Sequence, residues 1–203
     1  MTEPEIEPNQ RGESWTRITA WVLLIGGAIG LVASFVLTVE KIELLANPAH
    51  RPSCSINPVM SCSPVMQSWQ AGVFGFPNPL IGIASFSVLV TLGVLLLTGV
   101  RFTKWIWIGL EIGVVLALIF VHWLIYSSLY AIGALCIYCM VVWAVTIVLF
   151  LVVTVRNLMA ATDHPSRVLA TIAPYVPLIA ILWYMMIAGA ILDRFWYYWS
   201  TLL

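Results

Sequence analysis

Residues 132–155 read IGALCIYCMVVWAVTIVLFLVVTV, an apolar run from Ile132 to Val155 without a charged residue. A membrane-spanning helix needs roughly 20 apolar residues. Lipid cannot satisfy open backbone groups, so a run of this length reads as an α-helix and not as a strand. Near its head stand Cys136 and Cys139, spaced Cys-x-x-Cys. The chain has four cysteines, and the other two, Cys54 and Cys62, share one polar loop. What the two dithiols can do together depends on whether they face the same side of the membrane.

Four more runs have the same character: Ile18–Val39, Pro79–Val100, Trp105–Tyr126 and Val168–Leu192. The 203-residue chain is 62% hydrophobic and 9% charged, against about 25% charged in ordinary soluble domains. The expected fold class is therefore an all-α integral membrane protein. Net charge is zero, and no basic tract points to nucleic acid. The tail before the first run is polar and acidic (Glu3, Glu5, Glu7, Glu13). It lacks a basic leader, and the first run is long for a signal peptide, so it reads as a retained helix.

Positive charges fix an expected orientation. Arg11 and Arg17 precede the first span, Arg101 and Lys104 lie between the second and third, and Arg156 and Arg167 between the fourth and fifth. Only Lys41, Arg51 and Arg194 fall on the other side. Positive charge accumulates on the cytoplasmic side, which puts the N-terminus inside and the C-terminus outside. Trp15, Trp21, Trp105 and Trp107 then mark one interface, and Trp123, Trp196 and Trp199 the other. Both dithiols face outward, where disulfides persist.

Gly26-x-x-x-Gly30 suggests a close-packing helix face. The segment Asn47–Ser63, with Pro48, Pro52 and Pro58, is expected to be irregular and mobile. Ser63-Pro64 reads as a helix start, so Pro64–Gly72 forms a half-helix over the bundle, with Val65, Met66 and Trp69 on one face. Pro174 and Pro177 should kink the fifth helix or displace its start. Glu111 is expected to pair with Lys104.

In a helix beginning near Ile132, Cys139 lies one turn deeper than Cys136. Cys136 can meet a thiol from the aqueous side, favoured as thiolate by the helix dipole. Cys54 and Cys62, eight residues apart, can close a small disulfide. It is either a static staple or a second exchanging pair. A zinc site is disfavoured, because only one of the two pairs has ligand spacing. Two dithiols on one side make an exchanger in which electrons run Cys54, Cys62, Cys136, Cys139. No haem ligand pair, dinucleotide loop or metal cluster is visible, which leaves a lipid-soluble quinone as the simplest acceptor. The alternatives are a membrane scaffold with structural disulfides and a transmembrane dithiol carrier moving reducing power across the bilayer, which would want cysteines at both faces or mid-bilayer.

The segments Cys54-Ser-Ile-Asn-Pro-Val-Met-Ser-Cys62-Ser-Pro-Val-Met, Phe74-Gly-Phe-Pro-Asn-Pro-Leu-Ile-Gly82 and Cys136-Ile-Tyr-Cys139 resemble the vitamin K epoxide reductase family in its bacterial form. The resemblance covers roughly residues 20–155. It implies a four-helix transmembrane bundle around a quinone, capped by the half-helix, with a peripheral fifth helix. It also implies that Cys136 and Cys139 are the redox centre, with Cys139 facing the quinone. Bacterial members resemble DsbB in function: they reoxidise a thioredoxin-fold, DsbA-like thiol oxidase with menaquinone- or ubiquinone-type quinone in the cell membrane, supporting disulfide formation in exported proteins. Vitamin K epoxide is an open alternative substrate, and no metal is implied.

Asn78 matches the family asparagine that bonds a quinone oxygen. Trp143 stands where the family often has a tyrosine. Phe76, Met66, Trp69 and Met60 are candidate pocket walls, and His122 a candidate proton relay. The chain then divides into a cytoplasmic tail (1–17), the catalytic bundle (18–155, with an outer redox loop 40–78), and an inner loop, fifth helix and short outer tail (156–203). With no fused thioredoxin-like domain in the sequence, the redox partner is expected to be a separate protein.

Single-cysteine variants test the orientation. Cys54 or Cys62 alone is expected to react with an impermeant maleimide added outside the cell. Reaction only from the cytoplasmic face would overturn the assignment.

Overall fold

The computed structural model describes residues 8–161 and 171–201. In chain order these form α1 (Pro8–Ala46), α2 (Cys62–Gln67), a 3-10 turn (Trp69–Gly72), α3 (Pro79–Leu97), α4 (Lys104–Tyr126), a π turn (Ser127–Ile132), α5 (Ile137–Ala161), a second 3-10 turn (Ala173–Tyr175), α6 (Val176–Arg194) and α7 (Trp196–Trp199). Among the described residues five helices are long and apolar enough to cross a membrane, so the expectation of an all-α, multi-pass membrane protein holds. Many of their large apolar side chains, such as Val32, Leu116, Ile119 and Met185, are exposed. On helices of this length such side chains belong against lipid.

The boundaries differ from the sequence reading in ways that matter. The first helix begins at Pro8, not Ile18, and runs past Val39 to Ala46. At 1.5 Å per residue its 39 residues reach about 58 Å, well beyond a hydrocarbon core of about 30 Å. Glu40 and Lys41 therefore sit on a rigid helical mast and do not open a loop. The fourth spanning helix begins at Ile137 and not near Ile132. The preceding helix continues as the π turn to Ile132, and Gly133, at φ 71°, ends it. A left-handed residue there suits glycine, which has no Cβ to clash. In the fifth helix the prolines displace the start: Pro174 lies in the 3-10 turn and Pro177 in the first turn of α6. Residues 168–170 of that expected span, like 1–7 of the expected tail, lie outside the described residues.

Helix α1 packs between α3 and α5, and α4 packs on the other side of α5. Leu23, Phe86, Trp107, Leu110, Leu149 and Val153 draw all four into one apolar core. The glycines of the Gly26-x-x-x-Gly30 motif serve two helices. A Cβ on Gly26 would face Val145 and Leu149 of α5, whereas one on Gly30 would strike Phe86 of α3. The closest approach to backbone is reciprocal, from α3: a Cβ at Gly93 would lie 2.7 Å from the Leu24 nitrogen and 3.0 Å from the Ala20 carbonyl oxygen.

Polar bonds fix the remaining seams. Glu111 does not pair with Lys104. It accepts hydrogen bonds from Thr154 Oγ1 (2.7 Å) and Asn157 Nδ2 (2.8 Å), joining α4 to α5. The Arg156 guanidinium lies 3.3 Å over the Trp107 ring in the same region. Helix α6 rests on α5 and the π turn. It is held by Trp183 Nε1 to His122 Nε2 (3.0 Å), Tyr184 OH to the Ala144 carbonyl (2.7 Å) and Arg194 Nε to the Leu129 carbonyl (3.0 Å).

Backbone atoms of α1 cannot move aside as a flexible side chain can. Gly93→Ala is therefore expected to separate α1 from α3 and destabilise the protein by about 1–3 kcal/mol. Thermal unfolding in detergent measures this. An unchanged melting temperature would show that the seam has slack.

Candidate functional site

All four cysteines meet at one end of the bundle. Cys54 and Cys62 form a disulfide with a Cα–Cα distance of 5.7 Å. Cys136 and Cys139 are free thiols. The Cys62 and Cys136 sulfurs are 2.9 Å apart, too far for an S–S bond of about 2.05 Å and too close for ordinary packing. Cys54 is 2% exposed, and Cys62 and Cys136 are 0% exposed. Cys139 packs both with the other cysteines and with the cluster around Trp143.

Local structure explains the placement of Cys136. Its carbonyl accepts the first bond of α5, from Met140 N–H (3.0 Å), so it stands at the N-cap and not inside the first turn. It lies in the short link between spanning helices. Its thiol is held below the ordinary value, chiefly by the hydrogen bond from the Cys139 side chain. Backbone N–H groups of Cys139 and Tyr138 act the same way, while burial and the Glu40 charge oppose them. Hydrogen bonds to the charged form stabilise thiolate.

The loop between α1 and α2 is ordered by bonds that its prolines and serines did not suggest. Asn57 Oδ1 accepts from the N–H groups of Val59 (3.0 Å) and Met60 (2.7 Å), closing a tight turn. Leu135 N–H then donates to the Val59 carbonyl (2.8 Å), within an isolated parallel bridge between Met60 and Leu135. This ties the loop to the residue before Cys136. On the other flank Glu40 accepts from the backbone N–H (3.0 Å) and hydroxyl of Ser53, and pairs with His50 (3.0 Å). The neighbouring Lys41 donates to the Met66 carbonyl (2.6 Å). Two consecutive residues of α1 thus hold the chain on both sides of the disulfide. The expected start of the half-helix at Ser63-Pro64 shifts as well: Ser61 is the N-cap, Cys62 is the first helical residue, and Ser68 breaks the helix before Trp69–Gly72.

Beneath this lid lies a cavity of about 640 Å³. All four bundle helices contribute to its walls, which are mostly apolar, with Cys139 among them. Its size falls within the usual range for small-molecule sites, about 300–1,000 Å³. Asn78 is the polar residue of most interest there. Its Nδ2 donates to the Gln70 carbonyl (2.7 Å), which fixes the amide orientation, since a carbonyl needs a donor. Its Oδ1 is buried without a hydrogen-bond partner. Asn78 therefore offers an unpartnered acceptor and, on Nδ2, a second N–H. A flat apolar ring with oxygens at its edge, such as a quinone, fits these walls and this amide.

Of the other candidates from sequence, Trp143 and Met66 also line the cavity, and Trp69, Phe76 and His122 do not. Trp69 is exposed and packs on Trp123, at 5.9 Å between ring centroids. Phe76 is exposed beside Phe74. His122 faces α6: Nδ1 donates to the Leu118 carbonyl (2.9 Å) while Nε2 accepts from Trp183. Both ring nitrogens are thereby engaged in a neutral imidazole. Met60 lies in the bridge to Leu135. Sequence reasoning missed Glu40, Lys41 and Asn57 as organisers. Only Asn57 had a local signal, the turn-forming Asn-Pro pair.

The family model described as the vitamin K epoxide reductase family matches residues 21–154. That is well over half of the chain, and the chain belongs to this family. The matched segment contains all four cysteines, Asn78 and Trp143, and ends before α6. A comparison with curated proteins finds no match. The family consists in general of oxidoreductases that use quinone.

The Cys139 bond to Cys136 can be tested directly. In a Cys54→Ser/Cys62→Ser background, Cys139→Ala removes the donor to the Cys136 thiolate. The pH at which thiolate ultraviolet absorbance appears is then expected to move upward for Cys136. A downward move, or none, would refute that bond as the main cause.

Proposed function

We propose that this member of the vitamin K epoxide reductase family is a thiol oxidase that passes electrons from a separate thioredoxin-fold protein to a membrane quinone. The observation that carries the reading is the 2.9 Å approach of Cys62 to Cys136, with Cys139 one helical turn away in the cavity wall. A continuous line of sulfur thus runs from the loop to a site of suitable size.

The exchange steps follow from thiol–disulfide chemistry. A partner thiolate attacks Cys54 of the Cys54–Cys62 disulfide, forming a mixed disulfide and releasing Cys62 as thiolate. The partner's second thiol attacks its own mixed-disulfide sulfur. The partner leaves oxidised, and Cys54 and Cys62 are left reduced. Cys62 then attacks Cys136 of a Cys136–Cys139 disulfide, expelling the Cys139 thiolate. Cys54 attacks Cys62, restoring the loop disulfide and freeing Cys136. Two electrons now rest on Cys136 and Cys139. Loop disulfide closed and Cys-x-x-Cys reduced is the arrangement seen here.

Quinone, when bound, is the acceptor of two electrons and two protons from this dithiol. Asn78 is the residue to hold its edge oxygen: the second Nδ2 N–H suits a carbonyl, and the unpartnered Oδ1 suits a hydroxyl. Met66 and Trp143 hold the ring and exclude water. Burial of Cys54 means that the partner must displace the loop before attack. We place the cysteines on the outer face of a bacterial cell membrane, with the N-terminus cytoplasmic, on the positive-charge bias. On that side the electron flow supports disulfide formation in exported proteins, with vitamin K epoxide a second possible oxidant at the same cavity.

Purified protein mixed with a reduced thioredoxin-fold protein and a soluble quinone is expected to reduce the quinone. Cys139→Ala should abolish turnover. Cys54→Ala should block the protein substrate while sparing small dithiols. Turnover that survives Cys139→Ala would sink the mechanism.

A further inference from the structure

Phe195 is fully buried, although it terminates a helix at the edge of the bundle and lies outside the residues matched by the family. It belongs to one apolar cluster with Val59, Leu129, Leu135, Trp143 and Ile191. Two members of this cluster, Val59 and Leu135, are the partners of the backbone bond between the redox loop and the head of α5. Cys62 follows Val59 by three residues, and Cys136 follows Leu135 directly. The neighbouring Arg194 donates to the Leu129 carbonyl (3.0 Å) in the π turn. The end of α6 therefore grips both the turn that leads to Cys136 and the apolar filling around the bridge.

We propose that the end of α6, with Phe195 as its wedge, is a positioning element that keeps the Cys62 and Cys136 sulfurs in register. An isolated bridge between two loop segments does not by itself hold two sulfur atoms at 2.9 Å. It needs packed side chains around it, and Phe195 belongs to the buried cluster that holds both Val59 and Leu135. Exchange between sulfurs depends steeply on approach distance and angle, so a shift on the order of 1 Å costs far more in rate than in stability. This role rests on the relay proposed above and assigns part of it to a helix that carries no redox group.

The test isolates the two sulfurs. A Cys54→Ser/Cys139→Ser parent keeps only Cys62 and Cys136. Diamide takes two electrons and two protons, one of each from either thiol, as the Cys62–Cys136 bond forms, and non-reducing gels follow the cross-link. Phe195→Ala in this parent is expected to slow cross-linking by at least roughly tenfold, and Phe195→Met to restore most of the rate. Leu182→Ala, on the exposed face of the same helix, should leave it unchanged. Melting temperatures measured in parallel separate register from folding. If Phe195→Ala does not fold, Arg194→Met, which removes the Leu129 bond and the guanidinium 5.9 Å from the Phe195 ring centroid, carries the test with a smaller slowing. Equal rates in the parent and in the folded variant would overturn the brace alone. A parent that does not cross-link would overturn the relay itself.

Discussion

One backbone hydrogen bond, from Leu135 N–H to the Val59 carbonyl, joins the two parts of the chain that carry sulfur. The loop before α2 and the link before α5 are far apart in sequence. Neither is a regular element that could present a cysteine at a fixed height. The Asn57 turn aims the Val59 carbonyl, and the π turn with Gly133 releases the chain so that Leu135 can meet it. Cys62 and Cys136 are the next reactive residues along each strand of that contact. The bundle beneath supplies the frame, the long α1 mast supplies the grips of Glu40 and Lys41, and the bond sets the register.

The same geometry separates two environments. Above Cys136 there are the Cys54–Cys62 disulfide, a carboxylate and loop backbone. Below Cys139 there is an apolar cavity with few polar groups, among them an amide with an unpartnered oxygen. Cys136 stands at the helix cap, where backbone N–H groups favour a charged sulfur, and Cys139 stands one turn further in. In the relay proposed above, a Cys-x-x-Cys across a helix start is a short conductor between a polar compartment and an apolar one. Its two ends differ in surroundings because the helix begins between them.

Much of this was legible from the residues. Apolar run length disclosed the five spans, and helical spacing ranked Cys136 above Cys139 even though the helix starts five residues later than its pattern suggested. The error has a clear cause: Ile132–Leu135 is apolar, and apolar character alone cannot distinguish a π turn from a helix start. The extent of α1 was misread for the opposite reason. Glu40 and Lys41 look like loop residues, yet their charges are satisfied by Ser53, His50 and Met66 across tertiary contacts that no local window contains. His122 illustrates the same limit. A histidine in a spanning helix suggests proton chemistry, yet beside its local bond to the Leu118 carbonyl it is engaged by Trp183, more than sixty residues later. Asn78 and Met66, by contrast, sit in short motifs whose geometry is local, and they reach the cavity wall.

Cys54, Cys62 and Cys136 are all sealed from solvent, and this burial has a consequence beyond geometry. A current of electrons is useful only if it does not leak. In the relay proposed above, an open path of sulfurs would discharge into any small thiol or oxidant at hand. The sulfurs of that proposed relay are sheathed: the loop that carries Cys54 and Cys62 also covers Cys136. With the Cys54–Cys62 disulfide closed, a reagent that cannot peel the loop away finds no terminal, so in the proposed relay access selects the donor.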